Sequence, residues 1–360
     1  MTEKPLRVWH VPVNYGSLPS NTVRVLRAGG VDAHGLFFTN SVMRADDGMQ
    51  TVVGAPIKQP AHWLVSRLRW IAAFVRELLV LRPDVIHWYF GRTALPLGLD
   101  LLLVRLLKIP RVVEWQGSDI RTPEAEFADN PYYAPALHAG YEYAQIETAV
   151  NAQARQVRFA RAGFASTAPL GMLQYVRPEV FPHTHVLRQR LLLNDFEPHY
   201  PANAVPRIVH SSTARIAKGT PAVLRAIETL RGECQFDFQL VSGLPYAQAQ
   251  QIVRDADIFL DQFVLGDFGM ASLEALALGK PVVCYLKPTL RALYPSDLPI
   301  IQATQDTLPD VLRELIASPT LRREIGERGR AYMERHYSVA ALTAELTDLY
   351  RTVIAQQRLL

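Results

Sequence analysis

A chain of 360 residues has room for two domains of ordinary size, each with its own core. Its 49% hydrophobic and 20% charged content excludes extensive disorder, and two distant cysteines in apolar settings, Cys234 and Cys284, exclude a disulfide framework or a zinc cluster. The net charge of +4 is uneven: residues 1–195 carry 21 Lys/Arg against 16 Asp/Glu, which suits an anionic ligand or a membrane surface but is too diffuse for nucleic acid.

In chain order, Leu6 to Pro12 reads as an apolar strand, followed by the loop Val13-Asn14-Tyr15-Gly16-Ser17 and a helix starting near Ser20 or Asn21. Strand, glycine loop and helix open a nucleotide-type fold, but without G-x-G-x-x-G no dinucleotide fingerprint is present. The start, Met1 to Pro5, has no apolar signal-peptide core, and the apolar runs 71–81 and 97–109 are broken by charges, so the reading is cytoplasmic with no membrane span. After a strand at Asp32 to Phe38, residues 62–81 read as a long helix with Leu64, Leu68, Ile71, Val75 and Leu78 on one face. Trp63, Trp70 and Phe74 form a second stripe beside Arg67. Such a basic, aromatic-edged helix can rest on anionic lipid, although aromatics flanking an apolar stripe more often belong to the core. Strands at Asp84 to Tyr89 and Arg111 to Trp115 flank a helix around 97–107. The second runs into Gln116-Gly117-Ser118-Asp119, a turn where Asp119 either meets an acceptor hydroxyl or caps the loop. A helix over 141–161 and a strand at Gly163 to Ser166 follow, and His183-Thr184-His185 reads as a surface turn.

Residues 194–206, with three prolines, read as the linker between a domain at 1–193 and a second at 207–338. Alternation resumes there with strands at 207–211, 236–241 and 258–263 and helices at 221–230 and 247–255; residues 339–358 form a long amphipathic helix. The loop Ser211 to Thr220 presents Arg215 and Lys218 before a helix, a fork and a point charge suited to a diphosphate or simply solvated. Gly266-Asp267-Phe268-Gly269 reads as a turn, and Met270, Ala271 and Ser272 start a helix whose open amides offer an anion site, with Gly269 freeing the backbone to approach it. Glu274 lies about one turn in, within reach of a sugar hydroxyl. Gly279 and Pro281 close the helix before a buried strand, Val282 to Tyr285. Asp267-Phe268-Gly269 lacks the partners of a kinase motif, and Asp255-Ala256-Asp257 falls at a helix end, so neither marks a kinase or a metal site.

The segment Gly266 to Val283 resembles the donor-site signature, E-x7-E followed by G-x-P-V, of retaining GT-B glycosyltransferases of the family-4 type. The likeness extends to Lys218-Gly219-Thr220, to Ala256-Asp257-Ile258-Phe259-Leu260-Asp261 and to Gln116-Gly117-Ser118-Asp119, so it covers most of the chain. It implies an α/β GT-B fold, two Rossmann-like doubly wound domains facing a central cleft, with helix 339–360 crossing back to the N-terminal domain. It further implies a nucleotide-sugar donor, a glycan or lipid-linked glycan acceptor, retention of anomeric configuration, no cofactor and no metal. Gly16 would then approach substrate, Lys218 and Arg215 would hold the diphosphate, and Glu274 would bind the ribose. Two family positions differ: Gly266 stands where the sugar-contacting glutamate belongs, with Asp267 adjacent as a partial replacement, and Gln116 stands where many members have histidine. The family arginine falls at Thr213, leaving Arg215 as a shifted substitute. A catalytically degenerate GT-B binding subunit and a nucleotide-sugar epimerase remain open as alternatives.

Overall fold

The computed structural model describes residues 5–39 and 49–358. The chain opens with β1 (Arg7–Val11), α1 (Leu18–Ala28), β2 (Asp32–Thr39), β3 (Gln50–Val53), α2 (Pro60–Leu81), β4 (Val85–Tyr89) and α3 (Leu99–Leu106). It continues through β5 (Arg111–Glu114), α4 (Pro123–Asp129), α5 (Tyr133–His138), α6 (Ala149–Arg161), β6 (Ala165–Ala168) and β7 (Thr184–Val186). Next come β8 (Arg207–Ser211), α7 (Thr220–Arg231), β9 (Asp237–Val241), α8 (Tyr246–Arg254), β10 (Ile258–Leu260), α9 (Met270–Ala277) and β11 (Val282–Cys284). The last elements are α10 (Pro288–Arg291), β12 (Ile300–Gln302), α11 (Leu308–Ala317), α12 (Pro319–His336) and α13 (Val339–Arg358).

Two compact units result, one of Met1–Thr122, Glu147–Leu191 and Val339–Leu360, the other of Pro123–Ile146 and Leu192–Ser338. The first holds a seven-stranded sheet, β3-β2-β1-β4-β5-β6-β7, and the second a five-stranded one, β12-β11-β10-β8-β9. All pairings are parallel, as buried apolar strands joined by helices require. Strand order reverses between β1 and β4 in the first unit and between β8 and β10 in the second. Ligands of open α/β sheets bind outside the carboxyl ends of strands at such reversals.

Three elements depart from the sequence reading. The buried face of α2 is Ser66, Trp70, Phe74, Leu78 and Leu81, so the aromatic stripe enters the core, while Leu64 and Leu68 are 52% and 57% exposed. The rings bury more area, Trp70 finds a carbonyl for its indole N–H on Ala94 at 2.6 Å, and Phe74 packs 5.0 Å from Trp9. The helix read over 141–161 begins only at Ala149, where the Thr148 hydroxyl caps the Asn151 amide at 3.2 Å. Tyr141 is instead buried with Tyr133, Ala136, Ala217 and Val264, which draws 123–146 into the second unit. His185 lies in β7 rather than a turn.

In the first unit α13 packs Leu346, Tyr350 and Val353 onto the sheet, and the Tyr350 hydroxyl meets His87 Nδ1 at 2.8 Å. Beneath it Arg190 forks onto Glu114 at 2.8 and 2.6 Å, both side chains fully buried. Burial would raise the Glu114 pKa, but Arg190 and His87 hold it below its usual value. In the second unit residues of the proline-rich stretch are tied down, Asn203 Nδ2 donating to Asp257 Oδ2 at 2.9 Å. Among the described residues no helix is long and apolar enough to cross a membrane.

Candidate active site

The parallel register pairs Ile258 with Ile208 and Leu260 with His210, so the residues after β8 and β10 emerge at the same end of the second sheet. The loop after β8 winds back on itself, with the Lys218 amide on Ala214 O at 2.9 Å, and passes through Gly219 at φ +74° to start α7. Phe263 of the neighbouring connection donates its amide to Lys218 O at 3.0 Å, which fixes the lysine beside β10. The Lys218 ammonium then reaches the fully buried Asp261 Oδ1. Asp261 Oδ2 accepts from the Gly269 amide at 2.9 Å and the Ser272 hydroxyl at 2.6 Å. Burial pushes the Asp261 carboxyl up, yet the Lys218 charge and these donors hold it below the ordinary carboxylate range. A Cβ built on Gly269 would lie 3.7 Å from Lys218 Nζ, so the ammonium sits at the mouth of α9.

This geometry revises several sequence expectations. Gly269 has φ −109° and ψ −177°, ordinary extended backbone, so no left-handed requirement selects glycine there. The Ser272 amide is taken by Gly269 O at 3.0 Å and its hydroxyl by Asp261. Met270 and Ala271 are therefore the amides that α9 leaves for an anion. Arg215 is exposed and forms no ion pair among the described residues; its charge is felt with that of Lys218 at His210, which burial above all lowers to about 4. Asp261, Glu142 and Tyr246 were not singled out as site residues from the sequence. Glu142 accepts from the Ile216 and Ala217 amides at 2.8 and 3.0 Å, bracing the lysine loop. The Tyr246 hydroxyl donates to Glu274 Oε1 at 3.0 Å and orients the carboxylate one turn into α9. A strand-end aspartate eight residues before a glycine–helix start was the one visible signal for Asp261; Glu142 and Tyr246 come from remote elements that carry none.

The position where the resemblance expects a glutamate is closed. Gly266 has φ +70°, and a Cβ there would lie 2.2 Å from Lys287 Cγ. Lys287 is wholly buried, its ammonium 2.9 Å from Asp129 Oδ1 on α4. Beside it, Asp267 Oδ1 accepts from its own turn at Phe268 N, 2.8 Å, and from the Tyr294 hydroxyl, 2.9 Å, while the Phe268 ring packs 5.1 Å from that of Tyr294.

In the first unit Gly16 is exposed at φ +58° with no atom within 4 Å of a built Cβ. Asp119 is a turn cap: its carboxylate accepts from the Gly117 amide at 2.7 Å and the Gln116 amide at 3.1 Å, wholly buried, so the capping reading replaces the acceptor-binding one. Gln116 contributes a side-chain amide whose Nε2 is buried without a hydrogen-bond partner among the described residues. Burial raises the Asp119 pKa to about 6 against the pull of those backbone donors. The native state therefore holds a proton there that the unfolded chain, at 3.8, has released, and stability falls as pH rises from about 4 to about 6. In Asp119→Asn that fall should shrink by up to about 2 kcal/mol, read from urea unfolding at pH 4.5 and 6.5; an unchanged pH slope would refute it.

Residues 223–348 match the glycosyl transferase-like family, a span that includes α9 and its approach but starts beyond Lys218. No curated protein matches the sequence. Among solved structures, sucrose-phosphate synthase of Thermosynechococcus elongatus superposes with a TM-score of 0.63 at 14% identity, covering 97% of this chain and 100% of that one. WaaG, a glycosyltransferase of lipopolysaccharide biosynthesis, gives 0.56 at 13% identity over 96% and 99% of the two chains. Anabaena HepE, in complex with UDP-glucose, gives 0.52 at 14% over 97% and 100%. These are GT-B glycosyltransferases, and the two doubly wound units are that fold. The family match and the fold together support glycosyl transfer.

Proposed function

We propose that the protein is a retaining, metal-independent glycosyltransferase that moves a sugar from a nucleotide-sugar donor bound by the second unit to a hydroxyl acceptor, in surface polysaccharide or glycoconjugate assembly. The observation that carries this reading is the Lys218 ammonium, held by buried Asp261 at the open start of α9. That fixed positive charge, with the Met270 and Ala271 amides and the helix dipole, suits a diphosphate leaving group and gains strength as negative charge develops on it. The departing diphosphate receives the acceptor proton, so no protein base is required and the loss of the histidine at Gln116 is tolerated. Glu274, oriented by Tyr246, accepts from the ribose hydroxyls. The complex of HepE with UDP-glucose makes UDP-sugars the first donors to test.

Ligand-observed NMR against UDP-, GDP-, ADP- and dTDP-sugars tests the donor site. One nucleotide class should bind, and Glu274→Ala should weaken it about tenfold or more, as loss of a charge-assisted hydrogen bond predicts, with Tyr246→Phe weaker in effect. If no member of the panel binds, the reading fails in favour of a degenerate scaffold that engages a protein partner without turnover, with which the filled position at Gly266 is consistent.

A further inference from the structure

The first unit contains a second constellation that the transfer chemistry leaves unused. α2, the segment following β4 and α6 enclose a cavity of ≈ 770 Å³. It opens beside the carboxyl end of β4, at the strand-order reversal of the first sheet. Four arginines line it, Arg67, Arg92, Arg155 and Arg158, and among the described residues no Asp or Glu does. Arg67 lies 4.4 Å over the Phe38 ring and 5.6 Å over that of Trp63, which holds its guanidinium at an aromatic wall. Arg155 is fixed by the Asp119 carbonyl at 2.7 Å. The cations crowd one another: after burial, the charge of Arg92 disfavours the Arg67 cation. Burial likewise works against the Arg155 cation, Asp119 opposes this, and Arg92 and Arg158 add to it. A dianion in the cavity would relieve that repulsion through several charge-assisted bonds.

Apart from Thr93 and Asn151 the rest of the lining is apolar, and leucines around it are exposed. Leu64 and Leu68 stand at the cavity with half their surface in solvent. The segment that contributes Leu95 and Pro96 to the lining runs on through fully exposed Leu97 into α3, where Leu99, Leu102 and Leu106 form an exposed stripe at helical spacing. Exposed leucines at a cationic pocket and along the chain that leaves it fit neither free phosphate, which needs no apolar track, nor a sugar or nucleoside, for which the described lining residues offer no carboxylate to accept from hydroxyls.

We propose that this cavity binds the phosphate or diphosphate of an amphiphile whose apolar chain lies along Leu64, Leu68 and the exposed leucines of α3. The inference rests on the transfer reading for its role, since it makes the hydroxyl acceptor one carried on a lipid phosphate or diphosphate; the binding itself is independent of turnover. The test uses the full chain and three soluble probes, farnesyl diphosphate, inorganic pyrophosphate and farnesol, followed by calorimetry and by the fluorescence of Trp63 and Trp70. Farnesyl diphosphate should bind at least about tenfold tighter than either fragment, because it alone satisfies both the arginines and the leucines. Arg92→Ala with Arg158→Ala should weaken it about tenfold or more, and Leu68→Ser with Leu102→Ser should bring it towards pyrophosphate, while UDP-sugar binding stays as in the wild type. The paired arginine variant should keep its circular dichroism and unfolding midpoint, because both arginines are exposed. Pyrophosphate binding as tightly as farnesyl diphosphate, or farnesyl diphosphate binding unchanged in the arginine variant, would overturn the proposal. Failure of every nucleotide sugar of the panel to bind, with these results intact, would sink the donor reading and leave this site standing.

Discussion

Lys218→Met should lower sugar transfer by about 100-fold or more, the usual effect of deleting a charge that stabilises a transition-state anion, and should also destabilise the fold. The second effect comes from Asp261, which is wholly buried and whose remaining donors are one amide and one hydroxyl. Deleting its counterion leaves a buried carboxylate uncompensated, a loss of about 2–4 kcal/mol given that Lys218 is 20% exposed. The sign with pH follows from the depressed pKa of Asp261. In the wild type its contribution is present above the unfolded value of 3.8 and is lost as pH falls through the lower folded value. In Lys218→Met that contribution is missing at neutral pH, so the variant should differ from wild type least in acid. Lys218→Met combined with Asp261→Asn separates the two roles. It should recover stability to within about 1 kcal/mol of wild type, since no charge is left unpaired, and remain inactive in transfer. Wild-type turnover in Lys218→Met would remove the lysine from the chemistry, whatever the stability showed.

What the sequence disclosed follows from the range over which each signal acts. The parallel alternation, the α9 segment and the amphipathic α13 are local patterns of periodicity, caps and glycine stops, and these elements stand within a few residues of where the pattern puts them. The α2 face was misjudged because periodicity marks two stripes, and only the partners decide between them. Trp9, Trp88 and Phe38 on the first sheet supply an aromatic bed that takes Trp70 and Phe74 in preference to leucines. The exchange of 123–146 into the second unit depends on ion pairs and hydrogen bonds formed with residues far along the chain. Asn130 donates to Val264 O at 2.8 Å, and Asp129 meets Lys287. For the same reason Lys218 was readable as a site residue from its motif, whereas Glu142, which braces its loop, was not. Asp119 went the other way: its motif suggested a ligand, and its own turn consumes the carboxylate.

Gly266→Glu, which supplies the glutamate that the resemblance expects, should damage the protein and leave transfer no better. Residue 266 sits at φ +70°, where a side chain costs about 1 kcal/mol relative to glycine, and its Cβ would fall 2.2 Å from Lys287 Cγ, an overlap worth a further ~1–3 kcal/mol. Lys287 cannot swing aside freely, because its ammonium is held in the interior by Asp129, with Glu126 3.7 Å away. Lys287→Ala alone should also destabilise, by about 3 kcal/mol, through the carboxylates it orphans. The two changes share one volume, so together they should lose less than the sum of the singles by at least about 1 kcal/mol in urea unfolding. Donor binding should survive in every variant that remains folded, since Lys218, Asp261 and the start of α9 lie outside that contact. Strict additivity, or a Gly266→Glu protein as stable as wild type, would show that the lysine stem and the glycine are independent features. A coupled result would mean that Gly266 and the buried stem of Lys287 are one packed feature, so that position 266 cannot carry a glutamate while that lysine holds its place.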